Sequence, residues 1–144
     1  MIALGPYLDA AYRRGGRQWP HVDCWGLYRQ IVADHAGVAL GEFDGISESA
    51  AIAETVGLAM AAGTAWRRVA AGEERALDAV LLKGLVRSGG AVLRLPIHIG
   101  CVVRPGWMID IEGAAGATLR AFRGTPLANR VVGIFRPLAL ARPQ

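Results

Sequence analysis

The chain has 144 residues, a formal net charge of +4 and 53% hydrophobic residues. That length suits one domain, residues 1–144, with its own core, and the apolar content excludes a disordered chain. Nearly all the positive charge is arginine, with Lys83 the only lysine, and the arginines are spread along the chain. They read as solvated surface, so no nucleic-acid face is expected, although the charge weakly favours an anionic polymer such as cell wall.

The two cysteines, Cys24 and Cys101, form no CxxC pair and have no neighbouring set of metal ligands. This argues against a disulfide framework and against a zinc site. Met1 to Pro6 lacks a basic region followed by an apolar run, so no signal peptide is expected. The expectation is a chain made in the cytoplasm and carried outward by something else if it acts outside. The alanine-rich stretch from Ser49 to Trp66 is interrupted by Glu54 and built from small residues, which predicts a packed helix rather than membrane insertion.

In chain order, Pro6 to Arg14 predicts a short helix, with Tyr7, Leu8, Ala11 and Tyr12 at helical spacing and Gly15-Gly16 ending it. Arg17 to Val22 predicts a loop. Asp23 predicts a helix N-cap, and the helix runs to about His35 with Leu27, Tyr28, Ile31 and Val32 on one stripe and Gly37 as its stop. Gly41 to Gly45 is a turn-rich link, and Ser47 or Ser49 caps a third helix through about Ala62. Trp66 to Val69 and Ala76 to Lys83 then predict strands, with Gly84 to Leu93 a flexible or hairpin-like connection. Pro96 to Val103, Trp107 to Glu112, Ala117 to Phe122 and Val131 to Arg136 are further strands bounded by Gly, Pro or Asn. Helices first and an antiparallel sheet of about five to six strands second predict an α+β fold. The tail Leu138 to Gln144 either extends along the surface or docks on a partner.

The chemistry centres on Asp23-Cys24-Trp25-Gly26-Leu27. A cysteine in the first turn of a helix meets unsatisfied N–H groups and a partial positive charge, which favour thiolate over thiol. Such a residue is a candidate nucleophile if a base reaches it. His35 lies about three turns along the same helix, ~16 Å away, and cannot pair with Cys24. His21 sits in the preceding loop and reads as an ordinary loop histidine. His98, in the strand segment Pro96-Ile97-His98-Ile99-Gly100, is the better base, the competing reading being a hydrogen-bonded core histidine. Cys101, three residues on, points to the opposite sheet face and reads as a small buried hydrophobe.

A base needs an acceptor on its far nitrogen. Asp110 and Glu112 lie on the next strand, and register decides between them. A regular two-residue turn at Pro105-Gly106 pairs Val103 with Met108 and turns Asp110 away from His98. A three-residue loop, or a bulge that restores the parity, puts Gly100 opposite Asp110 and His98 opposite Glu112. Asp110 is then the diagonal neighbour of His98 on one face.

Taken together, Tyr12-Arg13-Arg14-Gly15-Gly16, Asp23-Cys24-Trp25-Gly26-Leu27, His98-Ile99-Gly100 and an acceptor twelve residues on resemble the NlpC family of papain-like cysteine peptidases. Asp78 sits where that family has a Gly-Asp pair, with Leu77 replacing the glycine. The resemblance runs from about Pro6 to Arg136. It implies a papain-like α+β core and hydrolysis of peptide bonds in peptidoglycan stem peptides. It further implies Cys24 as nucleophile, His98 as base, Asp110 as orienting residue, Tyr12 as an oxyanion auxiliary and Asp23 as N-cap. No cofactor or metal is implied. Trp25, where secreted wall hydrolases usually carry serine, resembles the branch found in phage tail-assembly proteins. That likeness implies a phage-like tail tip or gene transfer particle, with hub proteins as partners and peptidoglycan as substrate. A catalytically silent or shielded tail subunit, and an amidase or acyltransferase on the same fold, are the competing implications.

Overall fold

A computed structural model describes residues 2–13, 16–40, 66–113 and 115–141. The third helix expected from Ser47 or Ser49 to Ala62, and the Gly41–Gly45 link before it, lie outside the described residues.

The chain opens with a single helical turn, α1 (Gly5–Leu8), started by Pro6 and stopped at Asp9. The helix expected to continue to Arg14 does not. Ala11–Tyr12 instead forms β1, which pairs in parallel with β3 (His21–Val22), and β3 pairs antiparallel with β2 (Arg17–Gln18). The reason is tertiary pairing: the Ala11 amide donates to Pro20 O at 2.8 Å and the Arg13 amide to Val22 O at 3.0 Å. Those bonds replace the intrahelical ones that the local spacing favours. The predicted loop Arg17 to Val22 is therefore a small hairpin around Trp19-Pro20.

Helix α2 (Cys24–Ala36) follows directly. Asp23 caps it, its Oδ1 accepting from the Gly26 amide at 2.8 Å, and Gly37 ends it with φ +66°. A side chain on Gly26 would collide with the Gly16 carbonyl, so the glycine lets the hairpin close onto the helix start. The stripe Leu27, Tyr28, Ile31 and Val32 is buried, as its spacing predicts. No helix among the described residues is long and apolar enough to cross a membrane.

The second half is a six-stranded antiparallel sheet. Its strands are β4 (Trp66–Val69), β5 (Ala79–Ser88), β6 (Ala91–Arg104), β7 (Trp107–Ile111), β8 (Ala117–Ala121) and β9 (Val131–Pro137). Their spatial order is β4-β9-β5-β6-β7-β8. A 3-10 helix, Pro126–Arg130, joins β8 to β9, and one turn, α3 (Leu138–Ala141), follows β9. The flexible or hairpin-like connection expected from Gly84 to Leu93 is a hairpin, and its strands run on to the tip. Lys83 to Ser88 pairs with Ala91 to Pro96 across Gly89-Gly90, both at positive φ. Strand pairing overrides the weak local preference of Gly84.

Helix α2 packs on β6 and β7. One core cluster joins Trp25, Leu27, Tyr28 and Ile31 to Ile99, Cys101, Ile109 and Ile111, and the opposite sheet face holds Val80, Leu82, Val102, Met108 and Ile134. Trp25 is 2% exposed and lies against Tyr28 and Trp66, so it anchors the core.

Two polar ties hold the start of β5. Arg136 donates to both Asp78 oxygens, at 2.7 and 2.8 Å, in a pair buried on both sides. Leu77 carries φ +78°, while its carbonyl accepts from the Tyr28 hydroxyl at 2.8 Å and its amide donates to Val102 O. A left-handed backbone suits glycine better than leucine, so Leu77 carries local strain. Two stability measurements follow by urea denaturation. Asp78→Ala leaves a buried guanidinium unpaired and costs about 3–5 kcal/mol. Leu77→Gly is more stable than Leu77→Ala by about 1 kcal/mol, the reverse of the usual order, because both lose the same packing but only glycine relaxes the backbone.

Candidate active site

The start of α2 and the middle of β6 bring Cys24 and His98 together, and β7 adds Asp110. His98 Nε2 lies 2.7 Å from Asp110 Oδ2 and 3.6 Å from Glu112 Oε1. The Cys24 sulfur acts on the same ring and favours its protonated form. With Nε2 engaged by the carboxylate, Nδ1 is the nitrogen left for the sulfur. All three residues are buried: Cys24 is 4% exposed, His98 6% and Asp110 1%.

The register that makes this possible comes from a bulge. Arg104 pairs with Trp107 across Pro105-Gly106, but Val102, not Val103, pairs with Met108, and Cys101 pairs with Ile109. Continuing that register puts Gly100 opposite Asp110 and His98 opposite Glu112. The turn has two residues, and the extra residue Val103 restores the parity that the site requires. Glu74 pins the turn, its carboxylate accepting from the Gly106 amide at 2.8 Å and from Arg123. Gly100 also matters, since a side chain there would strike the Met108 sulfur.

Electrostatics favour a charged histidine. Burial opposes the imidazolium, but the Asp110 carboxylate and the Cys24 sulfur outweigh it, and His98 is pushed up to about 9. Burial likewise opposes ionisation of Asp110, yet the bonds from His98 and Arg120 hold its carboxyl below the ordinary value. Glu112 is lowered too: burial works against it, and Arg130, His98 and Arg120 prevail.

Other expected residues fall as follows. Tyr12 lies beside Val22 on β1, two residues before Cys24 in the pairing, with 38% of its surface exposed. Its hydroxyl joins no hydrogen bond of the site among the described residues. His21 is exposed on β3. His35 sits in the last turn of α2, its ring 5.9 Å from that of Tyr7. Cys101 is buried in the core, where burial pushes its thiol far up and makes it inert.

Sequence reasoning missed the arginines. Arg120 Nε donates to Asp110 Oδ1 at 3.1 Å, and its terminal nitrogen contacts both Asp110 Oδ2 and Glu112 Oε1. Arg130 binds Glu112 at 2.9 and 3.3 Å, and Thr118 Oγ1 lies 3.3 Å from Asp110 Oδ1. A signal was available in β8, where Thr118 and Arg120 alternate with apolar residues; Thr118 pairs with Asp110, and Arg120 is its diagonal neighbour. His98, Asp110 and Glu112 offer atoms within 4.8 Å of one another, a spacing that a metal ion accepts. Here the Arg120 guanidinium already bridges the two carboxylates, so the group is built as an ion-pair network.

The fold is that of NlpC/P60 proteins. A lipoprotein-like NLP/P60 family structure from Staphylococcus aureus subsp. aureus Mu50 superposes with a TM-score of 0.59 at 17% identity, covering 91% of this chain and 37% of its own. An NlpC/P60 family protein from Bacillus cereus ATCC 10987 gives a TM-score of 0.59 at 16% identity, covering 92% and 37%. This chain thus spans little more than a third of either protein. A weaker superposition, with a TM-score of 0.47 at 14% identity over 81% of each chain, is to the NlpC/p60 domain of the peptidoglycan hydrolase SagA. No protein-family model and no curated protein matches the sequence.

The charge state of His98 is directly measurable. In a nitrogen-15 NMR titration His98 is expected to lose its proton near pH 9. In Asp110→Asn the loss of the adjacent anion moves that titration down toward the ordinary value, about 6.5. An unchanged titration in the variant contradicts the pairing.

Proposed function

We propose that this chain is a cysteine peptidase that cuts peptide bonds in peptidoglycan stem peptides. The observation that carries the proposal is the line Cys24–His98–Asp110 at a helix start on an NlpC/P60 fold. The resemblance of Asp23-Cys24-Trp25 to phage tail-assembly proteins supports a setting on a phage-like tail tip. There the chain would be held by hub proteins and would open the cell wall for envelope penetration.

In the proposed reaction the Cys24 sulfur, paired with the His98 imidazolium, attacks the scissile carbonyl carbon. The first amides of a helix lack intrahelical partners, so the Cys24 N–H is suited to hold the oxyanion, with Tyr12 as its auxiliary. His98 then gives its proton to the leaving amine, and the carbonyl remains as a thioester on Cys24. A water molecule, deprotonated by His98, attacks the thioester and releases a carboxylic acid and the free cysteine. Asp110 holds the ring in the tautomer that both steps use.

A second reading has one observation in its favour. Cys24 and His98 are 4% and 6% exposed, as expected of a shielded site in a structural tail subunit. Digestion of purified peptidoglycan separates the two. The wild-type chain is expected to release muropeptides, and Cys24→Ala, which keeps its fold by circular dichroism, is expected to lose at least about a thousandfold in rate. A folded but inactive wild type supports the shielded subunit, and equal activity in Cys24→Ala overturns the nucleophile assignment. Mass spectrometry of the products distinguishes a peptidase from an amidase or an acyltransferase.

A further inference from the structure

We infer that Arg120 is a positioning residue that fixes the rotation of the Asp110 carboxylate so that one oxygen faces His98. Its kinetic consequence rests on the cysteine-peptidase reading; its structural content does not.

An aspartate carboxylate is free to turn about its own axis. The last torsion of its side chain is broad, so burial alone does not set which way the oxygens point. Around Asp110, Oδ2 meets His98 Nε2 and an Arg120 terminal nitrogen, while Oδ1 meets Arg120 Nε and Thr118 Oγ1. Among the described residues Arg120 is the side chain that touches both oxygens. A planar guanidinium that grips two oxygens defines the plane of the carboxylate, which a single hydroxyl does not do.

Arg120 is itself held. Its terminal nitrogen binds Glu112 Oε1 at 2.5 Å, and Glu112 is bound by Arg130. Arg130 Nε in turn donates to the Lys83 carbonyl on β5 at 2.7 Å. A chain of bonds thus runs from the β5 backbone to the face of His98. Exposed ion pairs contribute little, but here one partner, the Asp110 side chain, is 1% exposed while Arg120 is 32% exposed. The guanidinium therefore reaches from the surface to a buried carboxylate. The titratable groups around His98 are Cys24 from α2, Asp110 on β7 and Glu112 just beyond it, with Arg120 from β8 and Arg130 from the 3-10 helix acting through those carboxylates.

The test compares Arg120→Met, which removes charge and fork, with Arg120→Lys, which keeps only the charge. The readouts are the nitrogen-15 titration of His98 and the separate kcat and KM on muropeptides. Removing a cation near an imidazolium would by itself raise the histidine's titration point. A downward move is therefore the signature of lost Asp110 orientation. Arg120→Met is expected to move the titration down from about 9 toward about 6.5 and to lower kcat about tenfold with KM nearly unchanged. Arg120→Lys is expected to recover only part of both. An upward or absent movement in Arg120→Met, or full recovery in Arg120→Lys, overturns the positioning role. A downward movement in a protein whose wild type digests no peptidoglycan supports the positioning role and counts against the peptidase reading instead.

Discussion

One extra residue in β6 decides whether His98 has a partner. Val103 bulges out between the pairs Arg104–Trp107 and Val102–Met108, and by that step Asp110 arrives on the face of His98. A regular two-residue turn at the same place would rotate every β7 side chain to the other face. The hydrophobic pattern of β7 enforces the same choice, since Ile109 and Ile111 must meet the core under α2 while Met108 fills the opposite side. Glu74, buried beneath the turn, anchors Gly106 from a different part of the chain. The site is thus a consequence of sheet register, and the register is secured by core packing and by one buried carboxylate.

The cysteine side of the site is built by local rules. Asp23 caps α2, Gly26 admits the hairpin carbonyl, and Gly37 ends the helix. The cap and the stop were legible in sequence because each depends on a residue's own backbone preference; the role of Gly26 was not, because the Gly16 carbonyl reaches it through tertiary packing. The first helix was not legible. Tyr7, Ala11 and Tyr12 have helical spacing, but β3 supplies hydrogen bonds that a local reading does not see. A hairpin between β5 and β6 was expected, but its length was not, for a related reason: Gly84 reads as a break until an opposing strand pairs with it. Leu77 shows the converse. A leucine hides a left-handed turn that a glycine would have announced.

For the candidate site, His98 and the two possible acceptors were legible, and so was the dependence on register; the sequence left open whether a three-residue loop or a bulge supplies it, and the structure has the bulge. The arginines were missed because an isolated arginine reads as solvated surface, although Arg120 lies on the strand that follows Asp110. Their effect is electrostatic closure. Buried carboxylates are costly unless paired, and His98 together with Arg120 lets Asp110 remain an anion. Trp25 proved to be a core residue packed with Tyr28 and Trp66, so its place beside Cys24 is explained by packing.

The central claim is that His98 activates Cys24. It is tested most directly by alkylating the folded chain with iodoacetamide across pH 5–9 and following Cys24 and Cys101 separately by peptide mass spectrometry. The account predicts that Cys24 is modified at neutral pH while buried Cys101 is not, and that His98→Gln slows modification of Cys24 at least about tenfold at the same pH. Equal rates at Cys24 in the wild type and His98→Gln would contradict it.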